Sequence, residues 1–168
     1  RDSGVEESYI EKMIDPDKEW TWDDWIYMLE KATRDTDGDG TVDQWGLAYP
    51  GGANNASPFL HFYWNTGGKV IDTEGNIGLG GEETLAVMEL FEEMLDKDLL
   101  VKGAANMTSS EADNSLFESK VAFNYTFPPE VYIARAEAGE ELPEVVPVYP
   151  PVSPTGERGS FFAWNGVM

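Results

Sequence analysis

Aspartates recur at alternate positions in one short stretch, residues 35–46, which reads DTDGDGTVDQWG. Asp35, Asp37 and Asp39 place three carboxylates on a segment that contains two glycines, and a further carboxylate follows at Asp43. Carboxylate and carbonyl oxygens are the ligands that Ca²⁺ prefers, and carboxylates this close repel one another unless a cation neutralises them. The stretch therefore predicts a calcium-binding loop.

The spacing of these residues matches the ligand positions of an EF-hand loop, except at its last position. That loop ends with a bidentate glutamate at position twelve, where this chain has Gly46. The neighbouring side-chain carbonyl of Gln44 is a candidate replacement, as are water or a distant acid. The predicted calcium ligands are Asp35, Asp37, Asp39, Thr41, Asp43 and Gln44.

The segments on either side of this loop differ from those of an EF-hand, which has a helix on both sides. Residues 21–34 have helical periodicity, but residues 45–49, WGLAY, read as a buried strand. The sequence therefore predicts a static calcium clip over residues 35–44 that joins a helix to a strand. An acidic turn that binds no metal is the alternative.

Composition limits the classes of protein to which this chain can belong. Its 168 residues are 41% hydrophobic and 12% aromatic, which is enough for one globular domain with its own core. The net charge of −21 disfavours nucleic acid and anionic lipid as partners. The absence of cysteine excludes disulfides, thiolate metal sites and cysteine nucleophiles.

Helical and strand patterns alternate along the chain, so the sequence predicts an α/β fold. Periodicity, caps and proline positions predict helices over residues 5–14, 21–34, 57–66, 82–96, 109–119 and 128–138. Short apolar runs predict strands or extended segments over residues 45–49, 67–72, 120–126, 144–152 and 159–168.

Two of these helices have apolar stripes that predict which face packs against the core. In residues 21–34 the stripe contains Trp22, Trp25, Ile26 and Leu29, and Thr21 with Asp24 forms a predicted capping box. In residues 82–96 we expect the core-facing stripe to consist of Leu85, Met88, Phe91 and Leu95. Phe62 and Phe117 are also expected in the core.

Several stretches, in their order along the chain, resemble bacterial extracellular solute-binding proteins of the sugar-binding type, in the superfamily of maltose-binding protein. The first reads EWTWDDW and then KATRDTDGDGTVDQWGLAYPGG, over residues 19–52. The later ones are FYWNTGGKVID, GEETLAVMELFEEMLDKDLL, SLFESKVAFNYT and VVPVYPPVSPTGERGSFFAWNG. The chain departs from the family pattern at Ser119, often Gly, at Phe123, often Met, and at Pro128-Pro129, where Gly-x-Trp is frequent.

The resemblance implies an α/β lobe of the class II periplasmic-binding-protein type. Members of this family have two lobes that close about a hinge over a ligand in the cleft. Residues 1–168 would form a single domain, the second lobe, and both ends of the chain look like the interior of a longer protein. The first lobe, the signal sequence and the final helices would lie outside this sequence.

The same resemblance implies that the protein is a binding protein and not an enzyme. It would capture a carbohydrate outside the cytoplasmic membrane, as a monomer, and deliver it to the membrane subunits of an ABC importer. The expected location is the periplasm or the cell surface, with a lipid anchor on an N-terminus that this sequence does not include. Calcium would stiffen the lobe at a distance from the ligand.

Sugar sites combine flat aromatic faces with planar amides that bind hydroxyl groups. By the resemblance, three segments with such side chains border the cleft, at residues 63–65, 124–132 and 164. The residues predicted to bind the ligand are Tyr63, Trp64, Asn65, Asn124, Tyr125, Phe127, Tyr132 and Trp164.

Two other classes of protein remain open at this point. A secreted polysaccharide-degrading enzyme or an accessory carbohydrate-binding module would need carboxylates that face each other across a groove. A calcium-dependent docking or adhesion module would carry a second Asp-rich loop, which this chain lacks. With His61 as its only histidine, the chain alone cannot form a metal site of several histidines.

Overall fold

Residues 5–52, 55–125 and 128–158 of the chain are described by the computed structural model. They contain six α-helices, two short strands and one 3₁₀ turn, with two helices before the first strand, three helices and the 3₁₀ turn between the strands, and one helix after the second strand. The elements are α1 Glu7–Ile14, α2 Trp22–Ala32, β1 Trp45–Ala48, α3 Ser57–Asn65, α4 Glu82–Asp96, the 3₁₀ turn Ala104–Asn106, α5 Ser109–Phe117, β2 Val121–Asn124 and α6 Pro129–Glu137.

Helix α2 begins where the sequence predicts. The Thr21 hydroxyl accepts a hydrogen bond from the backbone N–H of Asp24, and the Asp24 carboxylate accepts one from the backbone N–H of Thr21. These two bonds satisfy donors that a helix start otherwise leaves free. The predicted apolar face is confirmed, since Trp22, Trp25 and Leu29 are all buried.

The sheet is parallel and small. Strand β1 pairs with β2 in a register that places Leu47 opposite Phe123. On the other side of β1, the backbone of Leu47 bonds to the carbonyl of Leu99 and to the N–H of Val101. Segment 99–101 therefore adds a third parallel line of pairing. The α/β class predicted from the sequence is confirmed.

Helix α2 lies very close to β1, and the contact depends on Gly46. A β-carbon on Gly46 would lie 2.8 Å from the α-carbon, β-carbon and carbonyl oxygen of Leu29. Its backbone N–H also donates to the Thr33 hydroxyl at 2.9 Å. Position 46 is therefore glycine because of helix–strand packing, and a glutamate side chain at this position would collide with α2.

The apolar stripe predicted for α4 is wrong at three of its four positions. Helix α4 buries Val87, Leu90 and Met94, whereas Leu85 and Leu95 are 58% and 65% exposed. Met88 is also exposed, whereas the remaining member of the predicted stripe, Phe91, is partly buried and packs edge-on against Phe62 at 5.5 Å. The helix has two apolar rows, and periodicity alone does not show which row meets the core.

The predicted strand over residues 67–72 and the predicted extended segment over residues 144–152 each form one isolated bridge. Within residues 67–72 the pairing is a single antiparallel bridge between Ile71 and Ile77. Segment 144–152 contributes one bridge, between Val152 and Thr21. The strand predicted over residues 159–168 lies outside the described residues.

Ser119 has a left-handed backbone conformation, with φ of 59°, immediately after the end of α5. This conformation costs a residue with a β-carbon about 1–2 kcal/mol, whereas glycine adopts it freely. Replacing Ser119 by glycine should therefore stabilise the protein by about 0.5–1 kcal/mol, after the extra chain entropy of glycine in the unfolded state is included. Thermal unfolding followed by circular dichroism tests this, and a rise of about 1–4 °C is expected.

Ser110 provides the matched control because it is an exposed serine inside α5. Glycine at this position should lower stability by about 0.5 kcal/mol, since helical backbone restricts glycine more than serine. The same change of residue type should therefore have opposite signs at the two sites. Destabilisation at both positions would contradict the left-handed conformation of Ser119.

None of the helices in the described ranges combines the length and the apolar character that crossing a membrane requires.

Candidate functional site

The Asp-rich loop brings three of its carboxylates together. Oxygen atoms of Asp35, Asp37 and Asp39 lie within 4.8 Å of one another. The Asp35 carboxylate accepts hydrogen bonds from the backbone N–H groups of Gly38, at 2.6 Å, and of Gly40, at 2.7 Å. Both glycines have positive φ, 81° and 90°, which lets the loop curl around the Asp35 side chain.

These backbone donors keep the Asp35 carboxylate ionised. Hydrogen bonds from the N–H groups of Gly40 and then Gly38 lower the pKa of Asp35 below its usual value. Two further bonds, from Asp39 N–H to Asp37 and from Thr41 N–H to Asp39, orient the other two carboxylates. The loop thus presents three oriented anionic oxygen donors, which is the ligand chemistry that Ca²⁺ prefers.

The remaining side chains predicted as ligands have other partners. Asp43 accepts hydrogen bonds from the backbone N–H and the hydroxyl of Thr36, at 2.9 and 2.7 Å. The Gln44 carbonyl accepts from Arg34 Nε at 3.0 Å. The loop is closed by an antiparallel bridge between Arg34 and Gln44. Asp43 and Gln44 thus hold the base of the loop, while the first three aspartates form its acidic cluster.

An apolar cavity of about 190 Å³ lies at the carboxyl end of β2. Asn124 ends this strand, Tyr125 follows it, and both line the cavity. Ligands of open α/β sheets favour this position relative to the strands. The other lining residues are Trp20, Trp25, His61, Phe62, Asn65, Phe123, Val148, Tyr149, Pro150 and Pro151.

Tyr125 lies at the centre of an aromatic cluster beside this cavity. The His61 ring stacks on it at 5.5 Å with an interplanar angle of 16°. The Phe62 ring meets it edge-on at 5.3 Å, and Trp25 packs beside it at 6.4 Å. Burial raises the pKa of Tyr125 well above its usual value, so its hydroxyl stays protonated.

Among the described residues that line the cavity, His61 alone has a side chain that could carry a charge near neutral pH. Burial lowers the pKa of His61, so the ring is neutral at pH 7. The described residues that line the cavity include no Asp, Glu, Lys or Arg. The cavity therefore offers flat rings and neutral polar groups, and it has no charge that would bind an ionic ligand.

The two predicted amides are both at the cavity, but their polar atoms have protein partners. Asn65 is buried, accepts a hydrogen bond from Trp22 Nε1 at 2.7 Å and donates one to the Pro151 carbonyl at 2.8 Å. Asn124 donates to the Asp113 carboxylate at 2.9 Å. Asn65 thus connects α2, α3 and segment 150–151, and Asn124 fixes the end of β2 to α5.

The other predicted aromatic residues lie elsewhere or outside the described residues. Tyr63 is buried, and its hydroxyl lies within hydrogen-bonding distance of the carbonyls of Lys69 and Gly78. Trp64 is partly buried and is not among the residues that line the cavity. The Tyr132 hydroxyl donates to the Pro143 carbonyl at 2.8 Å and so holds α6 in place. Phe127 and Trp164 lie outside the described residues.

Some residues at the cavity were not predicted as binding residues. Trp25 and Phe62 were expected in the core, and they do pack there, but each also presents part of its ring to the cavity. His61 lies four residues before Asn65 on α3, so helical spacing places the two side chains on one face. That spacing is a signal from which His61 could have been predicted.

Comparison with known proteins identifies the fold. No known family and no characterised protein sequence matches the chain. Among solved structures, the maltose/maltodextrin-binding domain MalE from Bdellovibrio bacteriovorus, bound to maltotriose, superposes with a TM-score of 0.62 at 18% identity. The match covers 89% of this chain and 37% of that one.

Two further structures match over a similar range. Maltose-bound MalE3 of T. maritima superposes with a TM-score of 0.66 at 21% identity, over 86% of this chain and 36% of that one. The GacH receptor of Streptomyces glaucescens, solved unliganded and with acarbose, gives a TM-score of 0.58 at 16% identity, over 90% and 37%.

The chain therefore has the α/β fold of part of a maltose-binding-type solute-binding protein, which confirms the resemblance and the fold class predicted from the sequence. It spans little more than one third of the length of these proteins.

Proposed function

We propose that this chain is one lobe of a two-lobed protein that captures a neutral carbohydrate. The observation that carries the proposal is the aromatic cavity at the carboxyl end of β2, in a fold shared with proteins solved with maltotriose, maltose and acarbose. The cavity volume of about 190 Å³ corresponds to about six water molecules. It suits one sugar unit, so a longer ligand would extend toward the other lobe.

The residues of the cavity would bind the sugar through both apolar and polar contacts. The Tyr125 and His61 rings would pack against the C–H faces of the sugar, as aromatic faces do in ligand sites. Asn124, fixed at the end of β2 by its hydrogen bond to Asp113, would hold Tyr125, the next residue, in place at the cavity. Closure of the second lobe would then exclude water.

The charge of the site supports a neutral ligand. The cavity lining has no ionised side chain at pH 7 among the described residues, while the chain as a whole carries a net charge of −21. This field repels anionic solutes such as sugar phosphates. A cation would find no carboxylate in the cavity to bind it.

The wider role follows from the proposed capture. The protein would act outside the cytoplasmic membrane as a monomer, anchored by lipid, and hand its ligand to the permease of an ABC importer without chemical change. The Asp-rich loop would bind Ca²⁺ through Asp35, Asp37 and Asp39, with further oxygens completing the coordination. The ion would brace the connection between α2 and β1, away from the cavity.

Tyr125→Ala in the full-length protein should weaken binding of a neutral oligosaccharide by about 1–3 kcal/mol, the contribution of a buried aromatic contact. Isothermal titration calorimetry with maltose, maltotriose and other neutral oligosaccharides measures this. The matched control is Tyr27→Ala, since Tyr27 packs on Tyr9 and does not line the cavity. The affinity of the Tyr27→Ala variant for the oligosaccharide should equal that of the unmodified protein.

Three outcomes would contradict the proposed function. Equal oligosaccharide affinity of the Tyr125 variant and the Tyr27 control would show that the cavity is not the binding site. Tighter binding of a sugar phosphate than of the neutral sugar would contradict the charge argument. Steady release of reducing sugar during incubation would show that the protein is an enzyme.

A further inference from the structure

The outer face of α4 exposes a row of large apolar side chains. Leu85, Met88 and Leu95 are 58%, 54% and 65% exposed. Their spacing of three and seven residues places them on one side of the helix, whereas Val87, Leu90 and Met94 occupy the buried side. A surface helix of a globular protein normally has a polar outer face, so this second apolar row has no role within the described part of the chain.

Exposed apolar residues are concentrated around this helix. Eleven large apolar side chains are exposed among the described residues. Six of them, Ile71, Ile77, Leu79, Leu85, Met88 and Leu95, belong to residues 71–95. Single exposed apolar residues are common on any protein surface, but clustered ones mark sites of interaction.

The hairpin that carries Ile71 and Ile77 is held against the start of α4. The Tyr63 hydroxyl lies 3.0 Å from the Gly78 carbonyl, and the Gly80 N–H donates to the Thr84 hydroxyl at 3.0 Å. The backbone of Leu79, between these glycines, is therefore fixed next to the first turn of α4. We name the exposed apolar side chains of residues 71–95, together with the acids between them, the α4 surface.

The negative charge of the α4 surface indicates which kind of partner could bind there. Residues 71–96 contain eight acidic residues and no lysine or arginine, and the lysine that follows, Lys97, forms ion pairs with Glu93 and Glu30. Five of the acids, Glu82, Glu89, Glu92, Glu93 and Asp96, lie on the solvent side of α4. A second copy of this chain would bring the same negative charge to the contact, and an anionic membrane would also be repelled.

We propose that the α4 surface is a docking site for a basic amphipathic segment of a partner protein. The apolar side chains of that segment would cover Leu85, Met88 and Leu95, and its lysine or arginine side chains would meet the surrounding carboxylates. Such an arrangement pairs two amphipathic helices along their apolar faces, with anchors at helical spacing. The proposal uses no residue of the cavity and does not depend on carbohydrate binding.

The test uses a labelled synthetic peptide with Leu at helical spacing and Lys at all other positions, titrated with the full chain by fluorescence anisotropy. The triple variant Leu85→Ser, Met88→Ser, Leu95→Ser should weaken binding about tenfold or more. The control is the double variant Val131→Ser, Ile133→Ser, which removes exposed apolar groups from α6 instead. Its affinity should stay within about twofold of the unmodified chain.

A second peptide, with Glu in place of Lys, should not bind. Circular dichroism should show unchanged melting temperatures for both variants, because the replaced side chains are exposed. Equal weakening in the triple variant and the control would show general attraction to an acidic protein and would overturn the proposal. A dimer of the unmodified chain that the triple variant alone abolishes would also overturn the proposal, since the occupant would then be a second copy. Binding of the unmodified chain to phosphatidylserine vesicles that the triple variant alone abolishes would overturn it as well, since the occupant would then be a lipid surface.

Discussion

Replacing Asn65 by alanine is expected to lower the free energy of unfolding by about 2–4 kcal/mol. The side chain is 2% exposed, and it joins Trp22 Nε1 to the Pro151 carbonyl. Removing it leaves a buried donor and a buried acceptor without their partner, and each such group costs about 1–3 kcal/mol. Thermal or urea unfolding measures the change, and the melting temperature should fall by about 5–15 °C.

Asn106→Ala is the matched control, because Asn106 is an exposed asparagine in the 3₁₀ turn. Its effect should stay within about 0.5 kcal/mol. The comparison also decides between two roles for Asn65. If Asn65→Ala unfolds at the same temperature as the control but binds oligosaccharide more weakly, the amide contacts ligand directly and the structural role is incorrect.

Calcium is expected to raise the melting temperature of the unmodified chain by about 5–10 °C when it is present at a hundred times its dissociation constant. A ligand at that excess stabilises the folded state by about 2.7 kcal/mol, and each kcal/mol corresponds to about 2–4 °C in a chain of this size. In Asp37→Ala, Asp39→Ala the shift should disappear, because two of the three clustered carboxylates are removed. Thermal melts with calcium and with a chelator give the measurement.

Asp72 supplies the control for general acidity. It belongs to a second turn, where its carboxylate accepts hydrogen bonds from the backbone N–H groups of Glu74 and Asn76. It is not one of the three clustered aspartates. Asp72→Ala should retain the full calcium shift. A melting temperature that does not respond to calcium in the unmodified chain would mean that the loop is an acidic turn without a metal.

The acidic loop also shows how far a local pattern can be interpreted. Alternate aspartates and two glycines predicted that three carboxylates would converge, and Asp35, Asp37 and Asp39 do so. The spacing could not show that Gly46 is required by the backbone of Leu29, or that Arg34 binds the Gln44 carbonyl. Those contacts come from how the loop closes on α2 and β1.

Helices with one apolar face were predicted well, because a single stripe leaves one way to bury it. Helix α2, with Trp22, Trp25 and Leu29 on one side, is of this kind. Helix α4 has two apolar rows, and in the row predicted from the sequence only Phe91 packs against the core, while Leu85, Met88 and Leu95 are exposed. Which row faces inward depends on the other elements of the core, so no property of the α4 sequence decides it.

The candidate site also has features that the local sequence predicted and features that depend on tertiary packing. The sequence by itself determined the α/β class, the capping box of α2, the convergent aspartates and the family resemblance, since each depends on residues that are near neighbours in the chain. Only the tertiary structure placed His61, Phe62 and Tyr125 around one cavity and gave Asn65 partners 43 and 86 residues away. Such contacts depend on how α2, α3, β2 and segment 148–151 pack together, and local periodicity carries no information about that packing.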